Sequence, residues 1–498
     1  MSIKLKIFFY LLLAGYISAM AENDFLLLKE KNDAIVTSGE DIAIRKGGFI
    51  HGFGKNADLD IYSPKSATFS LDGKKIYINS LEGCKTVVYD AETRDKLKVI
   101  EHTFDSGEGD LWLPASGYYP FTHYTDGEKK PFSGKPVEAA LSKNGRYLFV
   151  PYYRRTFDIN AQDPSALAVI DTRNDEIVLL VETGPLPKMV RVSNNGNLLA
   201  ITHWGNNTVG FLDISDADPK NWKHLEPVTI GRKLDLNYSL TSPVNRDSGS
   251  GYLLRGTVFL PGDSILMVSG MSGPMAFIDT KNMEWIGMSS DLGYVRHITL
   301  NGDNLFMSRN SAGEVHTVPV ANVVDAVNTQ RVNSRNFKID GIRKAKVGGG
   351  ARTLKVSPEG KFIFVACNSA SEIAIVRTRD MKLVGEIEAD AYPVGLDISP
   401  DGTLLVSTSQ GRNGVGGNAV DFFEVAYAEP EEWIKTPDIE ELLEEPAVSE
   451  DSVSENEIPQ EVTLPETENI SIYWILFTIL AVLLLFVFVL CFKKKKKL

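Results

Sequence analysis

A short unit recurs seven times along the chain: a β-rich run, a tight turn and a second β-rich run. The clearest copies are residues 353–365 and 395–406, in which Ser-Pro-Glu-Gly and Ser-Pro-Asp-Gly separate the two runs. Asp-Gly and Asn-Gly supply the positive φ angles that a tight hairpin requires. Self-similarity of this kind indicates a repeat architecture. Related turns occupy residues 70–73, 142–145, 193–196, 261–263 and 300–302.

The repeat continues beyond the hairpin. A third β-rich run follows in most copies, and a fourth is visible at residues 96–100, 177–181, 227–230 and 384–387. Four-stranded antiparallel units of about 40 residues are typical of propeller blades. The sequence therefore predicts an all-β fold, a seven-bladed β-propeller over residues 22–428. The last copy ends near residue 425, so we expect residues 25–29 or 33–37 to close the ring with its fourth strand.

The amino-acid sequence of the repeat resembles that of a known protein family. Ser-Pro-Asp-Gly, then an apolar strand, then a strand ending in Ile-Asp-Thr resembles the YVTN family of β-propellers, found in bacterial and archaeal surface proteins. The resemblance covers about residues 66–425, although residues 364–368 and 406–409 replace the Tyr-Val-Thr-Asn string itself. It implies the propeller fold. It implies no single reaction, because propellers of this kind include binding proteins, lactonases and quinoprotein subunits.

Both ends of the chain have the composition of targeting segments. Residues 1–21 carry two lysines, a short apolar run and Ala-Met-Ala, which predict a secretory signal peptide. Residues 470–492 form an uncharged apolar run that is long enough to span a bilayer, and the lysine tail 493–498 follows. We therefore expect a single-pass membrane protein with a cytoplasmic C-terminus. Its propeller would lie outside the cytoplasm, at the cell surface or on the periplasmic side.

Residues 429–469, between propeller and span, hold fifteen Asp or Glu residues and one lysine. This composition predicts a disordered acidic stalk. The remaining body is mildly acidic, which argues against nucleic acid as a partner.

The end of the stalk contains Leu464, Pro465 and Thr467 in the string Leu-Pro-Glu-Thr-Glu. This motif, followed by an apolar helix and a basic tail, resembles the LPXTG-type signal that sortase transpeptidases cut after the threonine. The departure is Glu468, which stands where the usual pattern has glycine. The resemblance implies a sortase-type processing enzyme as a partner, and a simple one-pass anchor is the alternative.

Long inserts mark one face of the predicted propeller. Residues 105–135, 152–163 and 232–251 all fall between second and third strands or between blades, which open on the same face. We call this the loop-rich face and the opposite one the tight-turn face. Long loops on a rigid scaffold are where function usually lies.

A basic residue begins the innermost strand in four successive blades: Lys188, Arg255, Arg296 and Arg352. Such an arc could bind a carboxylate, a phosphate or an acidic polymer, because arginine offers bidentate donors. The alternative is structural, with the arginines paired to Glu138, Glu314 or Glu372 between blades. Further candidate ligand-binding residues on the same face are His203, Trp204, His297 and Arg309.

No catalytic motif is present: there is no Ser-His-Asp order, P-loop or paired-cysteine motif. We predict no catalytic residue, metal or cofactor, since His123, His203 and His297 lack the short spacing of metal ligands. The sequence favours a binding or interaction module at the cell surface, for an anionic small molecule, an envelope polymer or a protein. The alternatives are a structural surface-layer component and an extracytoplasmic enzyme, lactonase-like or a quinoprotein-like dehydrogenase subunit, with its site over the axial channel.

Overall fold

Seven antiparallel sheets follow one another along the chain, each built on four strands. They belong to the residues that this computed structural model describes: 24–119, 132–156, 158, 161, 163–234 and 245–428. The innermost strands of successive sheets contact one another from the second sheet to the seventh, and those of the seventh and first sheets do so as well. The fold is a seven-bladed β-propeller, and the prediction from the repeat is confirmed.

We number the blades in chain order and give their strands from the axis outward. Blade 1 contains Pro64–Phe69, Lys75–Ser80, Lys85–Asp90 and Lys96–Glu101; blade 2 contains Ala140–Leu141, Tyr147–Arg155, Ser165–Asp171 and Glu176–Thr183; blade 3 contains Pro187–Val192, Leu198–His203, Thr208–Asp213 and Lys223–Thr229. Blade 4 contains Leu254–Phe259, Ile265–Gly270, Met275–Asp279 and Glu284–Ser289; blade 5 contains His297–Asn301, Asn304–Arg309, Glu314–Pro319 and Arg343–Lys346. Blade 6 contains Ala351–Val356, Phe362–Cys367, Glu372–Arg377 and Lys382–Glu388; blade 7 contains Pro393–Ile398, Leu404–Ser409, Ala419–Tyr427 and Ile42–His51.

The ring is closed by the N-terminal strand Ile42–His51, which pairs antiparallel with Ala419–Tyr427 along its whole length. Ile44 lies opposite Val425 and Ile50 opposite Val420. This strand covers the edge that blade 7 would otherwise leave open. Closure from the N-terminus is as predicted, but by a different segment.

Neither segment that we predicted for the closure supplies this strand. Residues 24–29 are helical, and within 33–37 only Ile35–Val36 is extended. This short strand pairs with the outer edge of Ile42–His51, so it follows the closing strand outward. The prediction was wrong in its choice of residues because two glycines and two charges interrupt the apolar pattern of the true strand.

Blade 2 carries two further strands. The strand Tyr147–Arg155 is long enough to pair first with Ala140–Leu141 and then with Phe132–Pro136, which also pairs with Thr103–Phe104. Trp112, Phe132 and Tyr152 are buried together in this extension. The predicted insert 105–135 is therefore partly built into the blade, while residues 120–131 lie outside the described part.

The core lies between blades, where the apolar faces of neighbouring sheets meet. Between blades 6 and 7, for example, Phe364 and Ile375 pack with Leu396 and Phe423, and the closing strand contributes Ile44. A helix, Val320–Gln330, adds to the core of blades 4 and 5 by burying Val323 and Val327. Burial of such side chains against the next blade makes each blade depend on its neighbours.

The predicted signal peptide, stalk, apolar span, lysine tail and Leu-Pro-Glu-Thr-Glu string lie outside the described residues. Within the described ranges, no helix has both the length and the apolar character that crossing a membrane requires. Cys84 and Cys367 are buried free thiols.

We expect the closing strand to carry a measurable share of the stability. Ile44→Ala removes a fully buried side chain from the interface of blade 7 and should lower the free energy of unfolding by about 2–5 kcal/mol. Phe49→Ala, on the exposed face of the same strand, is the matched control and should change it by less than about 1 kcal/mol. Denaturant unfolding followed by circular dichroism measures both, and equal effects would contradict the closure described above.

Candidate functional site

Seven residues occupy equivalent positions where the innermost strands begin, and together we call them the axial ring. Five are the second residue of their strand, and Glu138 and Arg296 lie just before the short inner strands of blades 2 and 5. Five ring residues are cationic, one is acidic and one is apolar. In blade order they are Lys65, Glu138, Lys188, Arg255, Arg296, Arg352 and Val394.

The backbone is distorted in the same way at most ring positions. In five blades the pairing register between the first and second strands shifts at the ring residue. In blade 1, for example, the shift lies between Pro64 and Ser66. A bulge of this kind redirects one side chain out of the regular alternation. In six blades, the residue two positions before the ring residue has a positive φ angle, in the left-handed region. These residues are Ser63, Leu186, Leu253, Tyr294, Gly350 and Tyr392.

Hydrogen bonds between blades fix the backbone of the ring. The side chain of Asn79 in blade 1 donates to the carbonyl of Glu138 in blade 2 (3.0 Å). Thr202 in blade 3 donates to the carbonyl of Arg255 (3.0 Å). In the same way, Ser308 donates to Arg352 and Thr353 donates to Val394. The ring positions are therefore held by the scaffold, whichever side chain they carry.

The ring side chains are buried although most are charged. Val394 is fully buried, Arg296 is half-buried, and the exposed fractions of the other five run from 2% for Arg255 to 8% for Lys65 and Lys188. Burial disfavours a charged group, and neighbouring like charges disfavour it further. Both effects act here: burial, followed by repulsion from Arg352 and Arg255, holds the pKa of Lys65 well below its usual range. Burial and then Arg255 lower the pKa of Arg352 to about 10.

Two of the five cations have carboxylate partners. Arg255 Nη2 donates to Glu138 Oε1 at 2.6 Å, which joins blade 4 to blade 2. Lys188 Nζ lies 3.7 Å from Asp247 and stands over the rings of Tyr153 (3.6 Å) and Trp204 (4.6 Å). The attraction of a cation to these aromatic faces adds to the ion pair.

The other three cations, Lys65, Arg296 and Arg352, have no carboxylate partner within the described ranges. They belong to blades 5, 6 and 1. These blades follow one another around the ring except for blade 7, whose ring residue is Val394. Arg352 lies over the ring of Tyr392 (5.8 Å), and Arg296 Nη1 contacts the sulfur of Met271 (3.2 Å). The Nε atoms of both arginines are buried without a hydrogen-bond partner in this part of the chain. This side of the ring has a surplus of positive charge and unused donors.

A cavity of about 460 Å³ follows the axis. Glu138 and Ser66 line it at the level of the ring, and His297, Arg191 and Lys355 line it further along. His297 is buried, and its Nδ1 atom has no hydrogen-bond partner among the residues described. Burial and the nearby cations Lys355 and Arg191 hold the pKa of His297 well below its usual range, so its imidazole is neutral.

The structure brings together six of the eight ligand-binding candidates. Lys188, Arg255, Arg296 and Arg352 are ring residues, Trp204 contacts Lys188, and His297 lines the cavity. The remaining two, His203 and Arg309, are held elsewhere. His203 contacts Thr208 through Nδ1 and accepts a hydrogen bond from Gly184 N–H at Nε2, and burial lowers its pKa to about 3. Arg309 lies 4.0 Å from Glu314 in its own blade.

Lys65 was not predicted as a site residue, and Glu138 was predicted only as a pairing partner of the arginines. A signal for Lys65 was available, since it precedes the turn residue Gly73 by the same interval that separates Lys188 from Gly196. The proposed pairing of the arginines with glutamates holds for Arg255 and Glu138. His123 lies outside the described residues, and among those described no group of three His, Cys, Asp or Glu side chains could hold a metal.

Comparisons with known proteins support the fold alone. No protein-family model matches the chain, and no curated protein matches it. The β-propeller domain of Cps50 (Swd1) from Myceliophteria thermophila matches with a TM-score of 0.50 and 12% identity, over 73% of this chain and 96% of that domain. Hydrazine synthase from Kuenenia stuttgartiensis matches with a TM-score of 0.48 and 12% identity, over 72% of this chain and 95% of that chain. Propellers share their fold across unrelated functions, so the ligand must be argued from the site.

Proposed function

We propose that the protein is an exported, membrane-anchored binding module that takes up an anionic group at the axial ring. The observation that supports the binding role is the charge of the ring, in which five cations face a single carboxylate. Lys65, Arg296 and Arg352 provide the binding site, because no described carboxylate forms a direct ion pair with them. Tyr392 and Val394 form its less polar side.

An anion would offset an unfavourable feature of the ring. Removing a cation from water costs several kcal/mol unless an opposite charge compensates it. Arg352 also repels the other two cations, and this repulsion adds to burial in lowering the pKa values of Lys65 and Arg296. A bound carboxylate, sulfate or phosphate group would reduce both costs and accept hydrogen bonds from the guanidinium groups.

The burial of the ring limits what can bind. An envelope polymer or a protein could place only a narrow acidic end among these side chains, because Lys65 and Arg352 are almost entirely covered and Arg296 is half-buried. We therefore favour a small anion, or the acidic terminus of a larger molecule. A purely structural ring would instead need a carboxylate for each cation, and the described residues supply too few.

This proposal predicts that sulfate binds to the full-length protein in a low-chloride buffer. Arg352→Met and Lys65→Met should each weaken binding at least about tenfold, since each removes a charged donor worth about 1.5–3 kcal/mol. Arg379→Met is the control, because it removes the same charge from an exposed position on blade 6. Isothermal titration calorimetry measures all four proteins. Absence of binding to folded wild type, or equal affinities in the three variants, would overturn the proposal.

The lowered pKa of Lys65 predicts a pH dependence with a definite sign. An anion favours the charged lysine, so binding should raise this pKa and take up protons, and sulfate affinity should fall as the pH rises toward the range in which an ordinary lysine titrates. Sulfate keeps its charge throughout this range, and Lys65→Met should flatten the dependence. Titration heats in two buffers with different ionisation enthalpies measure the proton uptake. Proton release, or a profile that Lys65→Met leaves unchanged, would contradict the assignment.

The location of the propeller outside the cytoplasm is proposed from the signal peptide, the apolar span and the lysine tail. The resemblance of the repeats to YVTN propellers agrees with a surface protein, and the acidic stalk would separate the ring from the membrane. We favour a retained anchor over sortase processing, because Glu468 stands where that signal has glycine.

A retained anchor predicts that mature protein purified from envelopes still contains the apolar run 470–492 and the lysines that follow it. Intact-mass spectrometry of that protein measures the end of the chain. A C-terminus at Thr467 would show instead that the Leu-Pro-Glu-Thr-Glu string is cut as the resemblance to the LPXTG-type signal implies.

A further inference from the structure

The axial cavity has unequal ends. At the ring its wall contains the almost fully buried Glu138 and the residues that directly follow Lys65, Arg296 and Arg352 on their strands. At the other end it is lined by Lys143 and Asn194, which are exposed residues of the first turns of blades 2 and 3. These turns belong to the tight-turn face. The cavity therefore opens on the face opposite the long loops and leads from there to the ring.

A second level of positive charge lines this cavity below the ring. Arg191 follows Lys188 by three residues on its strand, and Lys355 follows Arg352 by the same interval. Three residues of extended strand span about 10 Å, somewhat less where a bulge intervenes. Arg191 and Lys355 thus lie further toward the opening than the ring cations do.

The two cations of this lower level differ in their partners. Lys355 Nζ pairs with Asp397 at 2.8 Å. Arg191 Nε donates to the carbonyl of Thr257 at 3.2 Å, and no described carboxylate pairs with its guanidinium. Arg191 can therefore offer the donors at its terminal nitrogens to a ligand in the cavity, while Lys355 is already neutralised.

Between the two levels, the cavity wall offers a neutral polar contact. His297 directly follows Arg296 of the ring, is only 6% exposed, and has a buried Nδ1 atom with no partner among the described residues. Thr299 lies two residues further along the same strand and also lines the cavity. A ligand that extends from the ring toward Arg191 passes these side chains.

From this arrangement we propose that the ligand is an elongated molecule with an acidic group at each end, and that it enters through the tight-turn face. Its leading acid contacts Lys65, Arg296 and Arg352, and its trailing acid contacts Arg191. This inference rests on the proposed function, since it takes the ring as the site of the leading acid. It differs from the expectation that ligands bind at the loop-rich face.

The test compares α,ω-dicarboxylates from succinate to azelate with the monocarboxylate butyrate, by calorimetry on the full-length protein. We expect affinity to be highest at intermediate lengths such as adipate to suberate, where both acids reach a cation. Arg191→Gln should weaken adipate binding about tenfold and leave butyrate binding unchanged. Arg379→Gln, at an exposed position, is the control for the loss of one charge.

The outcomes separate this inference from the proposed function. If Arg191→Gln binds adipate as wild type does while Arg352→Met does not, the ring binds anions but the second contact is refuted. If the folded wild type binds neither the dicarboxylates nor sulfate, both proposals fail. A preference for adipate that Arg191→Gln abolishes supports the two-ended ligand.

The entrance is tested by association rates at low ionic strength, because charge near an opening steers an approaching anion. Lys143→Glu reverses a charge beside the tight-turn opening and should slow the association of adipate several-fold. Lys55→Glu makes the same change at an exposed position that follows the closing strand, on the loop-rich face, and should have little effect. The reverse ranking of the two variants would overturn entrance from the tight-turn face.

Discussion

The pairing of Ile42–His51 with Ala419–Tyr427 closes the propeller into a continuous ring. It completes blade 7, and blade 7 in turn contacts blade 1 through their innermost strands. At this contact the backbones approach closely: a Cβ atom on Gly395 would lie 2.6 Å from the carbonyl oxygen of Lys65. Since the ring residues are placed by contacts from blade to blade, their geometry around the axis depends on a closed circle.

The blades could be predicted from sequence because their turns have a strict chemistry. Ser-Pro-Asp-Gly and its relatives encode both the turn and the interval to the next strand, so the blade number and most strand positions followed. The closing strand was harder, because its central Arg-Lys-Gly-Gly stretch breaks the alternation of apolar residues and the structure has a register shift there. The helix Val320–Gln330 was not predicted either; it has no side-chain cap and is rich in β-branched valine.

The candidate site was predictable only in part, for a different reason. Basic residues at the start of inner strands are visible in the sequence, and Lys188, Arg255, Arg296 and Arg352 were found in that way. Which cation remains without a carboxylate is decided by contacts across the axis, such as that between Arg255 and Glu138. Asp247, which pairs with Lys188, comes from a loop whose position no periodicity indicates. Burial likewise depends on the closed ring.

The left-handed residue two positions before the ring has a wider consequence. Because the same backbone bend recurs in six blades, and neighbouring side chains bond the ring carbonyls, each ring position is oriented independently of the residue that occupies it. Lysine, arginine and valine occupy positions preceded by the same bend, and blade 2 presents glutamate after Pro136 instead. Substitutions at the six positions that follow this bend can thus exchange one chemistry for another without a change in the backbone, so the ligand preference of the ring can be altered one residue at a time.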